Sequence, residues 1–588
     1  MRKKLFTVIL IATIIGSINY GIVSATEEPE PFFYINLLAP NTSSSRIVHP
    51  TLMCEQLPKI GIGVEIFDHT GWSQITPRTW GYPGPYPIPP YPDGGYDVLF
   101  VGWNWGTRWN PEGLFDSNSI TPVGGNFYQY SNPDMDEKIK SLSHIFNESE
   151  RLPLIKDIQA ILYYDLPSIT FFYPYEIFPH NTDLEGFNAT LWLNNYQFMI
   201  NWSIPDQTFF NYAQPAYFEE FHPLICDFEY DSYWLNQIYN GLFERNPSNT
   251  GAYIPWLAES ICSDDGLVYY ITIKSDAVWA DGTAITTDDI IYNYQLAVTK
   301  NTRTNDYYEY IKYWDNSSIT KINDKEFTFT FKERSIFHFD YLGLNLIPKH
   351  IWENIPPSEH RATAENWVLN QPEKMFGAGP FVLEKFNFSS HSIHLIQNPY
   401  FDDWFGRAPK FSDVFFLFYI SKEAALSALS KREVDMVDSG FVPSIIELDE
   451  QDLDYSLANT GAVQEMAINM LHPYLGTGES CPIASEKSAL YIRKAISFII
   501  PREVICEEVY YGAARPGITP CPPATFGFDN SFSPFEYNIA LALQYMQLAG
   551  FDISAYNDTK VVIGFDFVFY LSVLGLLGAR IILKRNQK

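Results

Sequence analysis

The sequence predicts a mixed α/β protein of two or three domains, and three observations predict it. The chain has 588 residues, too many to pack around one hydrophobic core. Its 46% apolar and 18% charged residues give the balance of a globular chain and exclude a disordered one. Within the stretch 254–290 the apolar residues change from a period of two to helical spacing, which places a strand and a helix side by side.

Taken in order, Met1-Arg2-Lys3-Lys4 precedes an apolar run over 5–18, and Val23-Ser24-Ala25 offers small residues for cleavage. That is the layout of a secretory signal peptide, expected over 1–25. Tyr34-Ile35-Asn36-Leu37-Leu38-Ala39-Pro40 reads as a strand, 51–57 as the start of a helix, and Lys59-Ile60-Gly61-Ile62-Gly63-Val64-Glu65 as a second strand entry. The Pro/Gly/Tyr-rich segment 80–96 is a long irregular loop, a kind that is often functional. Asp97-Val98-Leu99-Phe100-Val101-Gly102-Trp103 is a buried strand ending in aromatics, and Ser131-Asn132-Pro133-Asp134 opens a helical pair that Leu166-Pro167 closes.

In the stretch 254–290, Asp264-Asp265-Gly266 supplies a turn, because Asp bonds its own backbone and Gly takes positive φ. Leu267, Tyr269, Ile271 and Ile273 then alternate with Val268, Tyr270, Thr272 and Lys274 as a half-buried strand. Asp281-Gly282 turns the chain again. Thr286 is an N-cap with Asp289 at the capping-box position, and Ile290, Tyr294, Ala297 and Val298 follow at helical spacing. At the far end, residues 561–583 are largely apolar and precede Lys584, Arg585 and Lys588. A run of about 20 residues at about 1.5 Å each spans a bilayer core, so a C-terminal transmembrane helix is expected, with the basic tail 584–588 inside and the bulk of the chain outside.

A formal charge of −30 argues against nucleic acid and against docking to anionic lipid, since both would repel the chain. The aromatic content of 16% is high, and rings that are not core suit a cleft that grips ligands. Cys54, Cys226, Cys262, Cys481, Cys506 and Cys521 form no CxxC pair, which disfavours a zinc or thioredoxin-like site. In an exported chain their even number permits disulfides without giving the pairing.

Pro255-Trp256-Leu257-Ala258-Glu259-Ser260, Asp265-Gly266, Trp279, Asp281-Gly282 and Asp289-Ile290 occur in one order, just after Tyr239-Asn240-Gly241-Leu242-Phe243-Glu244. Together they resemble the marker stretch of the extracytoplasmic solute-binding proteins of the peptide/nickel type (family 5), which serve ABC importers. The resemblance implies a bilobed periplasmic-binding-protein-like fold (type II, large) with a hinge between lobes. The block from Phe32 to about Asn195 resembles the C-terminal part of that family, through its GIGVE and YDVLFVGW strands, the stretch Asn126 to Asp136 and the DLP at 165–167. From about Pro205 the chain resembles the family's beginning, and Gly377-Ala378-Gly379-Pro380-Phe381, Asn398-Pro399-Tyr400, Glu433-Val434-Asp435 and Ile492-Arg493-Lys494-Ala495 follow in order. Residues 540–551 resemble the helix that ordinarily leads into the strand found here at Tyr34.

The two blocks therefore read as one binding protein with its halves in reversed order, a circular permutation. The expected division is a signal peptide over 1–25, a C-terminal-type half of lobe two over 26–194, lobe one over 195–468, the remainder of lobe two over 469–557, a transmembrane anchor over 561–583 and a basic tail over 584–588. The hinge is expected near Ala467-Asn469 and near 181–192.

No HExxH, GxSxG, phosphate loop or EF-hand occurs, so no catalytic residue, metal or cofactor is expected. His391 and His394 lie three apart in a segment read as strand, on opposite faces. The paired carboxylates at 264–265, 288–289 and 402–403 serve turns and helix caps. In peptide-binding members the resemblance implies a carboxylate shortly after the Gly-Trp pair to hold the peptide's amino terminus, whereas here Gly106 stands in that place. Trp103, Trp105 and Trp109 beside Asn104 and Asn126 suit a sugar, whose apolar face stacks on indole while amides serve its hydroxyls; the alternative is that these rings pack the lobe. The candidate ligand-binding residues are Trp103, Asn104, Trp105, Asn126, Tyr130, Tyr233, Asn240 and Asn469. The function implied is a membrane-anchored receptor that captures an oligopeptide or oligosaccharide by hinge closure and delivers it to ABC transporter permease subunits; the alternative is a surface binding or sensing protein without a dedicated transporter.

Overall fold

The computed structural model of the chain describes residues 29–557 apart from 42–46, 108, 146, 196–198, 247–248, 305 and 335. One sheet of seven strands organises the first lobe met along the chain, termed lobe two. Its order is Tyr455–Asn459, Ser168–Pro179, Ala462–Ile468, Val98–Asn104, Phe33–Pro40 and Ile62–Thr70, with Ala514–Pro516 added against Ser168–Pro179. Phe33–Pro40 is parallel to both Ile62–Thr70 and Val98–Asn104, while Ala462–Ile468 is antiparallel to its two neighbours. Both faces of the sheet are covered. Ile35, Leu37 and Ala39 point into one core and Leu38, Leu99 and Val101 into another, so the parallel strands read as continuous apolar runs.

Lobe one holds a five-stranded sheet, in the order Phe381–Asn387, Ser392–Gln397, Asp413–Phe418, Phe209–Gln214 and Met436–Val437, and a four-stranded sheet, in the order Ile319–Lys321, Glu326–Thr330, Val268–Ile273 and Ala258–Cys262. The stretch 254–290 folds here as its pattern predicts. Tyr269, Ile271 and Ile273 are buried and Tyr270 is exposed. The Asp265 carboxylate accepts from Leu267 N at 2.8 Å and Val268 N at 3.0 Å. The helix Thr287–Ala297 opens on a Thr286/Asp289 capping box, with Thr286 N donating to Asp289 Oδ2 at 2.9 Å, a cap that contributes about 1 kcal/mol.

The chain passes between the lobes twice, on two antiparallel strands. Ser168–Pro179 pairs through Phe172 with Ala462–Ile468 and from Tyr175 onward with Tyr455–Asn459. Phe171, Phe172, Met466 and Ile468 belong to the core of lobe two; Phe178 and Ala458 belong to that of lobe one. The change of core thus falls between these residues, earlier along both segments than the expected 467–469 and 181–192. One uninterrupted strand serves both lobes, and its apolar alternation carries no mark where it leaves one core for the other.

Lobe two is assembled from both ends of the described chain. Arg493, on the helix Glu486–Phe498, donates to the Asp165 carbonyl at 3.0 and 2.7 Å. Phe32 stacks on Phe551 with centroids 4.8 Å apart, and Tyr556 Oη donates to the Glu30 carbonyl at 2.8 Å. Burial raises the thiols of Cys481 to about 11 and of Cys506 and Cys521 to about 12, and no disulfide joins these three.

The expectation of a C-terminal transmembrane helix is corrected. Among the described residues no helix is long and apolar enough to cross a membrane. The segments 1–25 and 561–588 lie outside the described residues.

Candidate functional site

Three parallel strands of lobe two, Phe33–Pro40, Ile62–Thr70 and Val98–Asn104, end at one edge of their sheet. In open α/β sheets ligands gather outside the carboxyl ends of the strands, so the residues that follow these ends have first claim on a ligand. Trp72 begins the short helix Trp72–Ile75 just after Thr70, Trp80 follows it, and Trp103 and Trp105 lie at and after the end of Val98–Asn104. All four rings are half-buried. Trp72 contacts Trp80 at 5.5 Å, Trp80 contacts Trp103 at 6.0 Å, and Phe127 backs both at 5.4 and 6.2 Å. Together they form an aromatic wall beside the crossing strands.

Trp103 is held by its indole edge. Its Nε1 donates to Tyr128 Oη and to Glu465 Oε1, each at 3.0 Å, and Tyr128 Oη itself donates to Glu465. Burial raises the Glu465 carboxyl and, with help from Glu465, holds the Tyr128 hydroxyl well above its ordinary range. At the preceding Gly102 a Cβ would meet the end of the Gln464 side chain on the neighbouring strand, so a larger residue would oblige that side chain to move. Asn104 is exposed and accepts from Gly106 N at 3.0 Å. A Cβ at Gly106 would meet nothing within 4 Å, although φ there is +57°. Space alone therefore does not explain why no carboxylate stands at this position. The indole N–H groups of Trp105 and Trp109 are buried and have no hydrogen-bond partner among the described residues.

The other candidates lie elsewhere. Asn126 is fully buried, and its amide donates to the carbonyls of Asp116 and Tyr130 at 3.0 and 2.9 Å. Tyr130 donates to Asp165 at 2.6 Å. Asn469 donates to the Tyr96 and Pro89 carbonyls at 2.9 and 3.1 Å and accepts from Gln129 at 2.8 Å. These three brace the loops beneath the wall. In lobe one, Tyr233 is buried against Trp192 at 5.0 Å and donates to Glu229 at 3.2 Å, and Asn240 is buried with its amide 3.4 Å from the Ala378 carbonyl. Of the eight, the structure packs Trp103 and Trp105 against the same core as Trp72 and Trp80, with the exposed Asn104 between them in the chain. Trp72 and Trp80 were missed by sequence reasoning; the available signal was that Trp80 opens the irregular loop 80–96.

Lobe one presents a matching edge. Phe209–Gln214 is parallel to Asp413–Phe418 and Met436–Val437, and the last of these runs directly into Asp438-Ser439-Gly440. Tyr212 Oη donates to Asp438, and Gly440 N donates to it at 2.7 Å. Ser439 Oγ donates to Glu176 Oε2 at 2.6 Å, a bond from lobe one to a crossing strand. Burial pushes the Asp438 carboxyl up to about 7, and the neighbouring Glu229 and Glu176 add to the rise. Burial likewise raises Glu176. The edge is thus rich in acceptors, while the wall of lobe two offers aromatic faces.

The family described as bacterial extracellular solute-binding proteins, family 5 Middle, matches residues 252–573. The chain is 27% identical over 305 residues to the oligopeptide-binding protein AppA of Bacillus subtilis, covering 50% of this chain and 51% of that protein. It is 26% identical over 257 residues to a putative ABC transporter peptide-binding protein of Brucella ovis, covering 43% of this chain and 44% of that one. The chain spans about half the length of the curated relatives it matches. The solved structure of AppA from Bacillus subtilis in complex with a nonapeptide is 21% identical, with a TM-score of 0.40, over 60% of this chain and 66% of that one.

Proposed function

The chain belongs to the family 5 bacterial extracellular solute-binding proteins, and we propose that it captures an oligomeric solute between its two lobes and passes it to the permease of an ABC importer. The observation that carries this reading is the placement of the wall Trp72, Trp80 and Trp103 at the carboxyl edge of one sheet, beside the two strands that join it to the other lobe. Closure on those strands needs a ligand that binds the closed state better than the open one, and a cleft lined from both lobes supplies that difference. Binding, not turnover, is the task of such a site.

An oligopeptide is the ligand class that the names of the relatives support. A second reading, an oligosaccharide, is favoured by the tryptophan wall and by Gly106, which leaves an α-ammonium without the acid that the resemblance implies at that place. Burying an unpaired charge costs several kcal/mol in order of magnitude. Thermal denaturation of the chain against a panel of short peptides and oligosaccharides tests both. A ligand at about 100 times its dissociation constant adds about 2.7 kcal/mol and raises the midpoint visibly. The shift is expected to be lost in Trp103→Ala. A panel that leaves the midpoint unmoved, or a shift that survives the alanine, would overturn this reading of the wall.

We infer further that the halves of the chain are permuted relative to its family. The reading is supported by the single sheet that draws strands from 33–104 and from 462–516, and by the contact of Glu30 with Tyr556. A chain that starts near 182, runs to 557 and continues into 29–181, so that it keeps the buried Trp192 and Trp202, is expected to fold and to show the same ligand shifts. Failure of that rearranged chain to fold, with the original chain folded, would count against the permutation.

A further inference from the structure

Glu465 lies at the middle of the crossing strand Ala462–Ile468 and is fully buried. Three donors from three different segments converge on its carboxylate. Oε1 accepts from Trp103 Nε1, at the end of Val98–Asn104, and from Tyr128 Oη; Oε2 accepts from Ser168 Oγ at 2.8 Å. Ser168 is the first residue of the other crossing strand, Ser168–Pro179. The titratable groups that face Glu465 are the hydroxyls of Tyr128 and Tyr96. An indole N–H can only donate, so the setting of the Trp103 ring depends on where its acceptors stand. Those acceptors are Glu465 and the Tyr128 hydroxyl that Glu465 itself orients.

We propose that Glu465 is the positioning residue of the ligand wall: it fixes the Trp103 indole and ties it to both strands that join the lobes, on the lobe-two side of the change of core. This rests on the reading of Trp103 as a ligand-facing residue. The consequence is that the wall is preset from within its lobe: the pairing of Ser168–Pro179 with Ala462–Ile468 fixes where Glu465 stands, and that carboxylate fixes where Trp103 stands.

The test uses the whole chain labelled with ¹⁵N-tryptophan. The Trp103 indole N–H resonance is assigned by its disappearance in Trp103→Phe and then followed in Glu465→Leu, Glu465→Gln and Ser168→Ala. Pentaalanine and cellopentaose serve as ligand probes. In Glu465→Leu the resonance is expected to move and the affinity for whichever probe binds to fall about tenfold or more, as expected when the indole loses its charged acceptor and the remaining one, Tyr128 Oη, loses the carboxylate that orients it. Glu465→Gln restores both, because its amide oxygen accepts from Trp103 and its amide nitrogen donates to Ser168. Ser168→Ala, which does not touch Trp103 and is mild enough to fold if the leucine variant is not, is expected to shift the same resonance. A Trp103 resonance unmoved in Glu465→Leu or in Ser168→Ala overturns the proposal, as does an affinity that survives a moved resonance. If neither probe binds the unaltered chain, the ligand reading fails for those two solutes while the resonance still decides the positioning role.

Discussion

Replacing Arg493 by methionine is expected to destabilise the protein by about 3 kcal/mol or more, read as a fall in the denaturant midpoint. The guanidinium is buried, with two nitrogens on the Asp165 carbonyl and Nη1 on the Leu475 carbonyl at 2.6 Å. Burial lowers its pKa to about 10, so it remains charged at neutral pH, with Asp165 and Tyr130 acting in the opposite direction. Asp165 is the last residue of the helix Glu148–Asp165, where the helix dipole concentrates negative potential, and Leu166 closes that helix at φ +52°. Methionine keeps much of the stem but leaves two buried carbonyls without these donors. The contrast is Arg361→Met, which removes an exposed partner of Glu220 at 2.9 Å and is expected to change stability by less than about 1 kcal/mol. A loss equally small at Arg493 would show that water replaces the guanidinium, and the role assigned to it would be wrong.

Asp438→Asn is expected to stabilise the protein at pH 8, by a few kcal/mol in order of magnitude. The folded-state carboxyl, raised to about 7 from an ordinary 3.8, fixes the sign. Below about pH 4 both states hold the proton and there is no penalty. Between about 4 and 7 the unfolded chain releases its proton while the folded chain keeps it, so stability falls as pH rises. Above 7 the penalty is constant. Asparagine can still accept from Gly440 N and can donate to Tyr212 Oη, so it removes the charge without removing the bonds. His222 and His360 work in the opposite sense: burial lowers both, His360 to about 4, and their contribution is lost as pH falls below about 6.5. For that reason the readout is the difference between variant and original chain, measured by urea unfolding at pH 5 and pH 8. The gain should be larger at pH 8; equal gains at the two values would refute a raised Asp438.

What the sequence made legible was local. The turn at Asp265, the alternation of Tyr269, Ile271 and Ile273, and the Thr286/Asp289 cap each depend on residues a few places apart, and each is present in the structure. The wall was half legible. Trp103 could be picked out because it matches a cleft position of the family that the chain resembles, but Trp72 and Trp80 join it only because three parallel strands end at one edge, which is a property of topology. Asn126 and Asn469 were chosen by residue type, and residue type does not reveal whether an amide faces a ligand or a loop carbonyl. The pairing of Glu176 with Ser439 spans 263 positions and leaves no mark on either neighbourhood. The apolar run at 561–583 has the length of a bilayer span, but length and apolarity alone could not establish a membrane helix.

The two crossings also set an order of synthesis. Ala462–Ile468 slots between Val98–Asn104 and Ser168–Pro179, strands made far earlier: Glu465 meets Ser168 across 297 positions and Trp103 across 362. At the usual pace of a ribosome the shorter of these gaps lasts on the order of 15–60 s. During that interval the two older strands expose open edges to any passing chain, while lobe one, made wholly in between, can complete its own core. A nascent chain halted before residue 462 would thus carry a finished lobe one and a Trp103 with no Glu465 to hold it.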